Sequence, residues 1–98
     1  MELSTLDSHY TIKPNVIHIE CGDEFAIMDR YAGEEGLRTI TFSTPITARD
    51  ADIINQSGIA QVVGYSRDGK LSFTRDRFFE TYLMCDLIVD ILEKNTEH

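Results

Sequence analysis

Residues 74–95 read TRDRFFETYLMCDLIVDILEKN, and the fold turns on how they are read. The stretch has no Gly or Pro and is rich in Leu, Met, Glu and Phe, so helix is the favoured state. Thr74 is placed to act as N-cap. Asp76 stands in the first turn, where negative charge suits the helix dipole, and Lys94 and Asn95 suit the far end. The sequence therefore predicts one helix over residues 74–95. At about 100° per residue, Asp86, Asp90 and Glu93 fall on one narrow face. Phe78, Tyr82, Met84, Cys85, Leu87, Ile88, Val89, Ile91 and Leu92 fill an arc of about 220°, roughly twice what a helix uses to dock on one sheet. Phe79 and Leu83 fall even on the acidic side. The expectation is a helix that is either central to the core or covered in part by a second chain. Phe78, Tyr82, Cys85, Val89 and Leu92 form that core or dimer seam.

Immediately upstream, residues 59–66 and 70–73 flank Asp68-Gly69, a pair that predicts a two-residue type I′ hairpin. Its register places Phe73 opposite Gly64, so that an aromatic ring covers bare backbone. Before it, Thr44-Pro45 predicts a helix start, since Pro suits the first helical position. Thr47 with Asp50 three residues on is an alternative capping box, with Ile46 and Ala51 as its hydrophobic staple. Either start gives a short helix running to Gln56, with Ile53 and Ile54 inward and Gly58 as the stop.

The first half of the chain alternates. Residues 10–13 and 16–21 read as strands joined by Pro14-Asn15. A hairpin closed there puts Tyr10, Ile12, Ile17 and Ile19 on the core face. His9, Thr11, Lys13, Val16, His18 and Glu20 take the other, and a one-residue slip would invert the two. Residues 24–31 alternate more weakly, with Phe25 and Ile27 opposed to Ala26 and Met28; a short helix is the alternative. Residues 32–36, AGEEG, are an acidic loop bracketed by glycines, and residues 37–43, LRTITFS, are a strand with Ile40 and Phe42 on one face. The order β-β-β-β-α-β-β-α predicts an α+β fold. Its antiparallel sheet has about five or six strands, with a short middle helix and a long C-terminal helix packed on one face. The other face carries His18, Thr39, Thr41, Ser72 and Thr74, as a solvated or a docking surface. Residues 1–8 are polar and expected to be a flexible N-terminus, leaving residues 9–98 as a single domain.

With 98 residues and 42% apolar side chains, the chain has the composition of a globular domain. No apolar run reaches the roughly 18 residues of a membrane span. The opening MELSTLDSHY has neither the basic nor the apolar region of a secretory signal, so a cytoplasmic location is expected. Cys21 and Cys85 belong to no CxxC pair and read as packed free thiols. Seventeen acidic against nine basic residues give a net charge of −8. That balance argues against direct nucleic-acid or anionic-membrane binding and suits either plain solubility or a basic protein partner.

Three groups of residues carry candidate chemistry. His9, His18 and Glu20 share one face in the predicted hairpin, a weak candidate for a metal or proton-sensing cluster beside the plainer reading of a solvated ion pair. Cys21 stands between Glu20 and Asp23, acidic neighbours that raise a thiol pKa, so it reads as structural rather than nucleophilic. Glu34 and Glu35 in the loop, with Asp86, Asp90 and Glu93 on the helix, are the partner-binding candidates. No catalytic residue and no cofactor are predicted. The function these features favour is a small acidic non-enzymatic interaction module. It would be an inhibitor, or an immunity- or antitoxin-type binder, of a basic partner such as a nuclease or nucleic-acid-binding protein. A homodimeric sensor or structural domain is the alternative, and a small metalloprotein or enzyme using His9, His18 and Glu20 is a third.

Overall fold

The computed structural model describes residues 9–96, so the predicted flexible segment, residues 1–8, lies outside the described residues. The elements are β1 (Tyr10–Ile12), β2 (Val16–Cys21), β3 (Glu24–Asp29), a 3-10 turn (Glu34–Gly36), β4 (Arg38–Phe42), α1 (Ala48–Ser57), β5 (Ala60–Tyr65), β6 (Lys70–Arg75) and α2 (Thr81–Thr96). The six strands form one open antiparallel sheet in the order β1-β2-β3-β4-β6-β5. Because β6 pairs with both β4 and β5, the α1 crossover carries the chain past the β6 position to the outer edge, and β6 then returns between them. The α+β class, the strand count and the two helices are those the sequence predicts.

Register decides which side chains enter the core. Tyr10 pairs with Ile19 and Ile12 with Ile17, the alignment set by the Pro14-Asn15 turn. Ile17 then meets Met28, Met28 meets Ile40, and Ile40 meets Leu71. One face is therefore aliphatic from β2 to β6. It is buried against Ile54 of α1 and Met84, Cys85, Ile88, Ile91 and Leu92 of α2. On the opposite face Thr11, His18, Ile27 and Thr41 pair in a row, with Thr39 beside Ser72, all half-buried or exposed. Of the two expected starts for α1, the capping box holds. Thr47 Oγ1 accepts from Asp50 N at 3.3 Å, and Asp50 Oδ2 accepts from Thr47 N at 3.1 Å. Those bonds explain how the carboxylate of Asp50 is buried at no loss of partners. Gly58, at φ 78°, ends the helix as expected.

Three expectations are corrected. The last helix begins at Thr81, not Thr74, and residues 74–75 finish β6. Thr74 pairs with Gln61 and Arg75 with Ala60, so strand pairing overrides helix propensity there. Asp76 is no first-turn acid. Its carboxylate accepts from Gln61 Nε2 at 2.6 Å and Arg77 N at 2.7 Å, which ties the turn to the end of the sheet. Phe78 N then donates to Gly58 O at 2.9 Å, so Phe78 and Phe79 belong to the connection rather than to α2.

The hairpin is also longer than predicted. Gly69 N donates to Ser66 O at 3.1 Å and Ser66 N to Lys70 O at 2.8 Å, which encloses three residues. Gly69 alone of the three has a left-handed φ, at 111°, whereas a type I′ turn would require one at Asp68 too. A bulge at Val63 absorbs the change, so Gly64 faces Ser72 and Phe73 faces Val62.

Finally, the buried stripe of α2 is narrow. Met84, Cys85, Ile88, Ile91 and Leu92 subtend about 120°, with Leu87 and Val89 half-buried at its shoulders. Tyr82 and Leu83 are exposed. A single sheet face covers such a stripe.

Gly69 packs so closely on β4 that a Cβ there would lie 2.6 Å from Phe42 O, whereas Gly22, also at positive φ, faces open space. Gly22→Ala is expected to cost about 1 kcal/mol from backbone strain alone, and Gly69→Ala about 3 kcal/mol, measured as urea midpoints. Equal losses would contradict the close approach.

Candidate functional site

The apolar shoulder of α2 faces α1. Leu87, Ile91 and Lys94 recur at helical spacing and, with Ile53 of α1 and the carboxyl-bearing Asp90 and Glu93, line a groove of about 310 Å³. Its floor is aliphatic. Two acidic side chains, both solvent-exposed, stand at its edge, joined by Lys94 from the last turn of the helix. The groove thus combines three predicted or adjacent features: the inward Ile53, part of the acidic stripe, and the uncovered flank of the helix.

The remaining partner-binding candidates lie apart from it. Asp86 is one turn closer to the helix start and accepts a hydrogen bond from Tyr10 Oη, which draws it toward β1. Glu34 and Glu35 occupy the exposed 3-10 turn between β3 and β4, with Glu35 at φ 60°, held by bonds between Gly33, Gly36 and Leu37. That turn follows the end of β3 where Asp29 faces Val16, whereas Glu93 acts electrostatically on Cys21 at the opposite end of β2. The loop acids Glu34 and Glu35 thus follow the Val16 end of β2, whereas Glu93 lies toward its Cys21 end. Of the seam residues, Cys85 and Leu92 are buried in the core, Val89 is half-buried against it, and Phe78 and Tyr82 are exposed.

The predicted hairpin register does bring His9, His18 and Glu20 together, but they do not converge as ligands. His9 Nδ1 lies 2.8 Å from the backbone oxygen of Glu20, not from its carboxylate. His18 Nε2 sits 3.2 Å from Glu20 Oε2, and its ring stacks on Phe25 at 5.4 Å between centroids. Among the described residues no three His, Cys, Asp or Glu side chains are arranged to hold a metal ion. The geometry is that of a half-buried imidazole beside an exposed carboxylate, braced by a ring.

Sequence reasoning missed a cationic end. Arg38 and Arg75 both lie over the Phe79 ring, at 4.8 and 5.2 Å, while Arg30 covers Tyr31 and Arg77 covers Phe78. Burial, then the neighbouring Arg75, lowers the pKa of Arg38, and Asp29 opposes the shift. The adjacent pairs Arg30-Tyr31 and Arg77-Phe78 were the only local signal. The meeting of Arg38 with Arg75 depends on the β4–β6 pairing, which the chain order does not reveal.

No family model, no curated protein and no solved structure matches this chain. Among the described residues no helix is long and apolar enough to cross a membrane.

Cys21 and Cys85 are both free and buried. Burial raises the Cys85 thiol from its ordinary 9.0 to about 11, and burial followed by Glu93 raises Cys21. The folded Cys85 keeps its proton where the unfolded one loses it. The stability it carries is therefore complete below pH 9 and is lost as pH climbs toward 11. Neither thiol should react with a thiol-specific reagent at about pH 8 until urea unfolds the protein. Rapid labelling of Cys85 in the folded state would contradict its placement.

Proposed function

We propose that the protein is a small non-enzymatic interaction module of the cytoplasm that docks on a basic protein through the α1–α2 groove. The observation that carries this reading is the pairing of an aliphatic floor, Ile53, Leu87 and Ile91, with acidic Asp90 and Glu93 at its edge. It sits on a chain of net charge −8. The overall charge steers a cationic surface toward the molecule, and the groove supplies the short-range apolar fit that charge alone cannot. A nuclease or nucleic-acid-binding protein offers the matching surface, which makes an inhibitor, immunity or antitoxin role the natural form of the activity. Glu34 and Glu35 provide a second, peripheral acidic contact. Buried free thiols are in keeping with a reducing compartment.

A homodimeric reading is favoured by one observation: Phe78, Tyr82 and Leu83 leave aromatic and aliphatic surface exposed at and just before the start of α2. Such a dimer would join two complete folds, since the core is already closed within one chain.

Affinity purification under about 50 mM salt, followed by identification of the bound protein, tests the first reading. The expected partner is basic, and its affinity falls at least about tenfold by about 300 mM salt. Asp90→Lys with Glu93→Lys should weaken binding by at least about tenfold while leaving the melting temperature nearly unchanged, because both side chains are exposed. Binding indifferent to both salt and charge reversal would overturn the proposal.

A further inference from the structure

We propose that the amino-terminal end of α2 carries a separate binding site for a phosphate monoester borne on a flat apolar group. A cavity of about 360 Å³ lies there, lined by Ile12, Arg30, Tyr31, Arg38, Thr81 and Tyr82. Its volume is in the range of small-molecule sites. The acidic groove plays no part in it.

Two observations point to an oxyanion. First, two guanidinium groups converge on one cavity in a chain with only nine basic residues and a net charge of −8. Second, Arg38 Nη1 is buried and has no hydrogen-bond partner. A charged donor without an acceptor is costly, and the oxygens of a phosphate are what a guanidinium fork is shaped to receive. The nearby carboxylate of Asp29 acts on Arg38 electrostatically but makes no hydrogen bond to its Nη1, while its Oδ2 accepts from Thr39 N at 3.0 Å. Both arginines are held before any ligand arrives. Arg38 lies on the Phe79 ring, while Arg30 donates from Nη1 to Lys13 O at 3.0 Å and lies over Tyr31. Pre-set donors lose little freedom on binding. The first turn of α2 carries no acidic side chain, and the one acid at this end, Glu80, is exposed and precedes the helix.

The rest of the lining describes the remainder of the ligand. Tyr31, Tyr82 and Ile12 are 62%, 54% and 47% exposed, an unusual density of apolar surface beside two cations. Ring faces and an aliphatic branch suit a flat apolar group next to the phosphate. Overall charge limits the ligand in the other direction. A long polyanion would meet the repulsion of the whole molecule, whereas a single monoester interacts within about 8 Å, the reach left by physiological salt.

Titration of the isotopically labelled full chain with phenyl phosphate, inorganic phosphate and phenol, followed by backbone amide spectra, tests the site. Phenyl phosphate is expected to give saturable shifts at Arg38, Thr81 and Tyr82. Inorganic phosphate should shift the same amides with about tenfold weaker affinity, and phenol should leave them unmoved. Arg30→Gln, which alters a side chain outside the core, and Arg38→Lys, which keeps the charge but loses the fork, should each weaken phenyl phosphate by about tenfold or more. The proposal is overturned by unsaturated shifts, by phenol binding as well as phenyl phosphate, by shifts centred elsewhere, or by a folded Arg30→Gln protein that binds unchanged.

Discussion

The closure of α2 over one face of the sheet is the constraint on which everything else rests. Ile17, Ile19, Met28, Ile40, Leu71 and Phe73 stand in register on that face, each buried. Met84, Cys85, Ile88, Ile91 and Leu92 complete the other half of the core. Each such aliphatic side chain contributes about 1.5–3 kcal/mol on leaving water. A helix rotated by a single residue would bring Asp86 and Glu93, or in the other sense Asp90, into the core, so the rotation is fixed and the acidic stripe is forced outward. The outward acidic charge is in this sense a by-product of core packing: the stripe faces solvent because the opposite stripe cannot.

That rotation also divides the molecule electrically. Asp90 and Glu93 border the α1–α2 groove, while Arg30 and Arg38 line the cavity at the start of α2. The two cavities differ in chemistry as well as in sign. One has an aliphatic floor edged by carboxylates, and the other has arginines laid on aromatic rings. Net charge alone, at −8, describes the first and hides the second. Both sheet edges are ill suited to pairing with another chain. β1 has only three residues, and β5 is bulged at Val63, with Val62 N satisfied by Asn55 Oδ1 at 2.7 Å.

Much of this was legible in the chain. Alternation in residues 10–28 gave the right hairpin register because Pro14-Asn15 leaves few ways to turn, and Thr47 with Asp50 marked the start of α1 because the capping box is a local device. What was not legible was set at a distance. Residues 74–80 have helix-forming composition, yet pairing with β5 and the bonds from Asp76 and Phe78 hold them out of the helix. Asp68-Gly69 suggests a two-residue loop, whereas the longer loop observed is tied to β4 by the bond from Phe42 N to Gly69 O, a contact distant in sequence. The apolar arc exceeds one sheet only when Phe78 and Tyr82, which are exposed, and Leu87 and Val89, which are half-buried, are added to the buried stripe. The acidic candidates were found but their separation was not, and the arginine cluster needed the β4–β6 pairing to be seen at all.

The central claim is that one sheet face and one helix stripe close the core within a single chain. The most direct measurement is the unfolding midpoint as a function of protein concentration, from about 1 to about 100 µM. A core complete in one chain predicts a midpoint that does not move. A midpoint that rises steadily with concentration would mean that a second copy supplies part of the core, and would contradict the account.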